Sequence, residues 1–302
     1  MQLVSFNTGN EPLRAGLIVG DHVVDAHRAG IALLHRDLPA TVRGILAKGQ
    51  SCLRLLEQLR ERAGEFLATT PDVAWAKPLN SVHLGPPVPD PDKIICIGQN
   101  YKDHCAEQGV PLPSRPIIFT KFATSLTGPH DPIVLPRASE KVDYEVELAF
   151  VIGKGGKHIL EKDALKHVAG YMVFNDISAR DIQFGDGQWT RGKSCDTFAP
   201  CGPALVTCDE VPDPGNLALE LRLNGQVMQS SNTNQMVFGV AALVAFLSQT
   251  ITLTPGDIVS TGTPPGVGIF RKPPVLLKPG DKVIATVEHL GSLENICVAE
   301  EL

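Results

Sequence analysis

The chain has 302 residues, 43% of them hydrophobic and 20% charged, with a formal net charge of −6. It is too apolar for a disordered chain, and it lacks the basic face with which proteins grip a nucleic-acid backbone. At this length it can bury an ordinary core without metal or disulfide staples. Its seven cysteines, an odd number with no CxxC pair, fit a reducing compartment better than a disulfide framework.

The opening MQLVSFNTGNEPLRAG has neither the apolar run of a signal peptide nor the Arg-rich look of a transit peptide. The longest apolar stretch, 236–247, falls short of the roughly 20 residues that span a bilayer. A cytosolic protein is expected, or a mitochondrial-matrix one if the chain is a processed form. Residues 1–70 read as a small α/β unit. The strands LVSF, AGLIVG and HVVDA lead into a helix with Cys52, Leu55, Leu56, Leu59, Ala63 and Phe66 at helical spacing and Ser51 as its cap. Residues 71–92, with GPPVPDP, cannot hold a helix and read as a linker.

From residue 93 to 302 short apolar runs are divided by Gly and Pro. Strands are expected at 94–98, 117–121, 142–152, 171–175, 217–223, 227–230, 257–261 and 282–289, with Asn224-Gly225 as a hairpin turn. Helices are expected at 101–108, 161–168, 177–184 and 235–249. Strands outnumber helices without alternating with them, which disfavours a doubly wound parallel sheet and favours a β-rich α+β fold.

The segment VDYEVELAFVI at 142–152 carries the strongest chemical signal. Period two gives an apolar face of Val142, Tyr144, Val146, Leu148, Phe150 and Ile152, and sets Asp143, Glu145 and Glu147 on the other. That face continues as Ala149 and Val151, so the acids enter a buried region, where like charges side by side call for a cation. A solvated edge is the bland alternative. Asp176 follows the apolar strand YMVFN as a third ligand or a plain helix cap, and Arg180 and Gln183 follow it at i+4 and i+7. Arg180 suits an anionic substrate and a structural ion pair equally well.

In QNYKDHCAEQ, Tyr101, His104 and Glu107 recur every three residues on one face of a short helix. Glu107 can take a proton from one ring nitrogen of His104 and leave the other free as a base; a surface pair is the ordinary alternative. GQWTRGKS at 187–194 matches the phosphate-loop pattern GxxxxGK[ST], but no strand precedes it and no convincing helix follows. Lys193 is then a cation in a glycine-flanked loop, functional or merely exposed. STGTPPGVG at 260–268 offers backbone N–H groups and the Thr263 hydroxyl to a carboxylate, or is a plain loop.

Together ICIGQNYKDHCAEQ, DYEVELAFVIGK, GYMVFNDISARDIQ, GKSCDTFAPCGPALV, RLNGQVMQSSNTNQMVF and STGTPPGVG, in order over roughly 93–290, resemble the fumarylacetoacetate hydrolase family. The resemblance implies a mixed, rolled β-sheet fold, a homodimer, and one Mg²⁺ or Mn²⁺ per chain on Glu145, Glu147 and Asp176. It implies a His104–Glu107 dyad on a lid, with Lys193 as a third catalytic group. Arg180, Gln183, Lys193 and Thr263 fall on the substrate side, and Tyr101, on the face of His104, is counted with them. Some acylpyruvate hydrolases of the family have Arg where this chain has Gln99. The expected activity is C–C cleavage of an acylpyruvate, a fumarylpyruvate-like diketo acid or oxaloacetate through an enolate stabilised by the metal. A tautomerase or isomerase on the same site is the alternative, and a silent scaffold a third. No nucleic acid and no membrane partner is expected.

Overall fold

Two sheets organise the chain, and the chemistry collects where the larger one is interrupted. In the computed structural model, which describes residues 1–211 and 213–301, a twelve-stranded sheet has ten strands on one path. Their order is Ala76–Pro78, His22–Asp25, Arg14–Val19, Gln2–Asn7, Ala199–Thr207, Val168–Asn175, Val146–Ile152, Ile258–Ser260, Ile94–Gly98 and Ile117–Lys121. His83–Gly85 and Leu126–Thr127 pair off this path. A second sheet runs Gln226–Asn232, Ala218–Leu223, Lys282–Val287, Gly291–Ala299 and Ile133–Leu135. This is the β-rich, mixed-sheet α+β arrangement that the sequence implies. No helix among the described residues is long and apolar enough to cross a membrane.

The central strand Val146–Ile152 is buried on both faces. Val146, Leu148, Phe150 and Ile152 pack into the core shared with the second sheet, beside Leu219, Leu221, Val283 and Leu293. Ala149 and Val151 face a different cluster, built with Leu3, Leu17, Ile45, Leu56 and Leu59. The helix Gln50–Leu67 thus roofs the continuation of the acidic face. Gln2–Asn7 also pairs with Ala199–Thr207, so residues 1–70 are hydrogen-bonded into the main sheet.

Several local expectations need correction. The strand foreseen over 142–152 breaks into Val142–Asp143 and Val146–Ile152. Side chains take over its backbone donors: Tyr144 N–H goes to Asp143, Glu145 N–H to Asn175 Oδ1 and Val146 N–H to Gln229 Oε1. The helix foreseen at 177–184 starts only at Arg180, because Ser178–Ala179 pairs with Val142–Asp143. Residues 161–167 form a 3₁₀ segment, and 235–249 holds a helix only over Val240–Ser248. Gly49, not Ser51, sits at the N-cap of Gln50–Leu67, and the Ser51 hydroxyl bonds to Lys48 O. The Asn224-Gly225 turn is as foreseen, with φ of +51° and +84°.

Candidate active site

Four buried carboxylates gather at the strand interruption: Asp143, Glu145, Glu147 and Asp176. Ligand oxygens of Glu145, Glu147 and Asp176 all lie within 4.8 Å of one another. Three buried cations answer them. Lys193 Nζ donates to Glu145 Oε2 at 2.5 Å and Asp176 Oδ2 at 2.7 Å, and Lys121 Nζ to Asp176 Oδ1 at 2.5 Å. Arg180 donates from Nε to Asp143 Oδ2 at 2.9 Å, from Nη2 to Glu145 Oε1 at 2.7 Å and from Nη1 to Gln183 Oε1 at 3.0 Å.

Four acids against three cations leave the cluster one positive charge short. The deficit falls on Glu147. Burial, then the charges of Asp176 and Glu145, push its carboxyl well above the usual range. Its Oε2 accepts from Ser260 Oγ at 2.5 Å and Gly262 N–H at 2.8 Å, while Oε1 accepts no hydrogen bond from the described residues. Glu145 goes the other way: burial opposes its ionisation, but Arg180 and Lys193 hold it well below the ordinary carboxylate value. Burial also works against the Lys193 ammonium, yet Asp176 and Glu145 outweigh it and keep it charged. An all-oxygen triad with one underpaired acid fits a hard divalent cation.

The cluster opens into a cavity of about 110 Å³, lined among others by Gln99, His104, Gln108, Glu147, Gln183 and Lys193. Its apolar wall includes Trp189, stacked edge-on to Phe119 with centroids 5.3 Å apart, and Lys193 Nζ lies 4.9 Å from the centre of the Phe119 ring. His104 comes from the seven-residue helix Lys102–Gln108, which ends at Gly109 in the left-handed conformation that glycine adopts freely. His104 Nδ1 lies 3.0 Å from Glu107 Oε2, and Gly266 N–H donates to Glu107 Oε1 at 2.9 Å.

The loop after Ile258–Ser260 does present backbone N–H groups to carboxylates, and they are the protein's own. Gly262 reaches Glu147, Gly266 reaches Glu107, and Gly268 and Ile269 reach the two oxygens of Asp143. Gly266 has φ +101°, and a Cβ there would lie 2.1 Å from Met228 O. Only glycine fits.

His104, Glu145, Glu147, Arg180, Gln183, Lys193 and Thr263 meet around this cavity as the sequence places them, and Glu107 supports His104 from behind. Three expectations change. Tyr101 is fully buried, precedes the helix with an extended backbone instead of sharing the face of His104, and is not in the cavity wall. Arg180 is tied to Asp143, Glu145 and Gln183, the ion-pair alternative, although it still borders the cavity. The Thr263 hydroxyl donates to Val146 O and accepts from Gln229, so it is already engaged. The phosphate-loop lookalike forms one turn, Thr190–Lys193, with no strand before it. Lys121 and Gln108 are additional. Lys121 shares the buried face of its strand with Phe119, a period-two signal that the sequence carried.

The mixed β fold thus carries a buried carboxylate triad beside a His–Glu pair. The family model for the fumarylacetoacetate hydrolase C-terminal domain matches residues 93–298, and the chain belongs to that family. It is 49% identical to the human mitochondrial oxaloacetate tautomerase FAHD2A, covering 98% of this chain and 91% of that protein. It is 47% identical to the Xenopus laevis mitochondrial oxaloacetate tautomerase fahd2, over 98% and 89% of the two chains. Among solved structures, a putative HpcE protein from Mycobacterium smegmatis superposes with a TM-score of 0.83 at 36% identity, over the full length of both chains. A fumarylacetoacetate hydrolase from Exiguobacterium antarcticum gives 0.80 at 33% identity, over 99% and 100%.

Proposed function

We propose that the protein interconverts the keto and enol forms of oxaloacetate. The observation that carries this reading is the size and lining of the cavity. At about 110 Å³ it is well below the roughly 300–1,000 Å³ of a site for drug-sized ligands, and opposite its apolar wall it sets cations and amides beside the carboxylates and one base. A four-carbon dicarboxylate suits it. Relatives named oxaloacetate tautomerase, with 47% and 49% identity, support the same substrate.

Glu145, Glu147 and Asp176 would hold one divalent cation, Mg²⁺ or Mn²⁺, which when bound supplies a Lewis acid to the substrate's keto oxygen. The protein's own groups do the rest. Glu107 accepts a hydrogen bond from the Nδ1–H of His104, which leaves the Nε2 lone pair as the basic one. His104 takes a proton from C3 of the substrate and returns it to oxygen, or the reverse. Tautomerisation consumes no water, so one base suffices. Lys193 adds positive charge where the substrate gains negative charge, and Gln183, its oxygen held by Arg180, turns its amide N–H₂ toward the substrate's carboxylate.

C–C cleavage is a second reading, favoured by the overlap with the Exiguobacterium hydrolase. Enol absorbance and pyruvate release, followed together with oxaloacetate and Mg²⁺, separate the two. Faster keto–enol relaxation without added pyruvate supports the tautomerase, and pyruvate formed at a rate that depends on His104 overturns it in favour of cleavage. We further propose a homodimer, on the family resemblance, and the mitochondrial matrix in place of the cytosol, on the names of the relatives. The division into 1–70, 71–92 and 93–302 is kept as a proposal, supported by the family match beginning at residue 93.

A further inference from the structure

The geometry points to Gln108 as the positioning residue of the base, an inference that rests on the tautomerase reading of the same cavity. His104 is hydrogen-bonded at both ring nitrogens. Nδ1 faces Glu107 Oε2 at 3.0 Å, and Nε2 faces Gln108 Nε2 at 2.6 Å. A carboxylate can only accept and the N–H₂ of an amide can only donate. The pair therefore specifies a neutral ring with its proton on Nδ1 and its lone pair on Nε2.

The other end of the Gln108 amide meets a second amide: Gln99 Nε2 lies 3.4 Å from Gln108 Oε1, the pairing that goes with the N–H₂ end facing the histidine. Gln99 sits just past the end of Ile94–Gly98 with φ +53°, a left-handed backbone uncommon for a residue with a side chain. Such conformations collect at functional sites, where the surroundings hold them. Cys105 Sγ donates to Gln99 O at 3.4 Å and ties this turn to the helix that carries His104. Gln99 and Gln108 both line the cavity.

Gln108 thus keeps the lone pair of His104 directed and capped until a substrate takes the place of the amide. The exchange costs no charge, since a neutral amide leaves a neutral ring. An acid at position 108 would do the opposite. It would accept from Nε2–H, place the ring between two carboxylates and hold it as imidazolium, which is no base.

The test is ¹⁵N-edited NMR of the histidine rings at neutral pH without substrate, with the His104 signals assigned by their loss in His104→Gln. Turnover of oxaloacetate is measured on the same samples. The native protein is expected to show His104 as one neutral tautomer, protonated at Nδ1. Gln108→Glu is expected to protonate both nitrogens and to lower kcat by at least ~10²-fold, the worth of a general base, with KM changed by less than about threefold. Gln108→Met, similar in length but without a donor, should keep the ring neutral and lose less activity. A native ring protonated at Nε2 overturns the inference, as does a Gln108→Glu ring that stays neutral, or equal loss in both variants. The NMR result needs no turnover. A protein with the expected ring states and no oxaloacetate activity would sink the tautomerase reading and leave the positioning role standing.

Discussion

The carboxylate cluster and the histidine helix face the same cavity but are built in opposite ways. Glu147 and Asp176 sit on or beside strands buried along their whole length, and their charges are answered by Lys121, Lys193 and the loop from Ser260. His104 and Glu107 sit on one seven-residue helix closed by Gly109, with Lys102 and Ala106 exposed. The cluster has to hold charge in a dry setting, which takes many fixed partners. The base has to meet a substrate that enters and leaves, which a short surface helix allows. Gly266 N–H joins the two by donating to Glu107 from the loop that also holds Glu147 and Asp143.

The largest expected effect attacks the buried side. Asp176→Ala strips Lys121 and Lys193 of a shared partner at positions with almost no solvent access. Leaving a buried charge unpaired costs about 3–5 kcal/mol, to be read as a lowered urea midpoint together with lost turnover. The cation comes next. At a hundred times its Kd, Mg²⁺ or Mn²⁺ should stabilise the protein by about 2.7 kcal/mol, seen as a higher Tm that a chelator reverses. An unchanged Tm would mean that Lys121, Lys193 and Arg180 suffice without a metal.

Gly266→Ala tests the joint between the two regions. With φ +101° and a Cβ 2.1 Å from Met228 O, the change is expected to cost about 1–3 kcal/mol and to lower kcat more than it weakens cation binding. Equal loss of both would show that the loop serves the cluster alone. The smallest effect concerns Asp181, which accepts from Ser139 Oγ, Glu140 N–H and Ile182 N–H at the start of the Arg180–Gly185 helix. Burial opposes its ionisation, but these donors hold its carboxyl below the usual value. A lowered folded-state pKa gives stability that is present above about pH 3.9 and is lost as pH falls through the folded value. Asp181→Ala should therefore cost about 0.5–1.5 kcal/mol near neutrality and less in acid, in urea titrations at both pH values.

The acids at 145 and 147 were legible because strand periodicity set polar residues on a face that turns apolar two residues later, and Asp176 because it follows the end of an apolar strand. The His104–Glu107 pair was legible from helical spacing and the family resemblance. Tyr101 was misplaced because a three-residue recurrence does not reveal that the helix begins only after it. Arg180 and Gln183 were counted from Asp176 along one helix, whereas a two-residue bridge to Val142–Asp143 delays that helix by a turn. Gln108 escaped notice because its role depends on Gln99, nine residues away, and on a backbone conformation that spacing does not encode. Side-chain capture of the backbone donors at Tyr144–Val146 depends partly on Asn175 and Gln229, which only the fold brings near.

The claim that His104 moves a proton at carbon is tested most directly by deuterium entry at C3 of oxaloacetate, followed by proton NMR in heavy water with Mg²⁺. The native protein is expected to speed that exchange and His104→Ala to slow it by at least ~10²-fold, while Tm stays near the native value. Exchange in His104→Ala at the native rate would contradict the account.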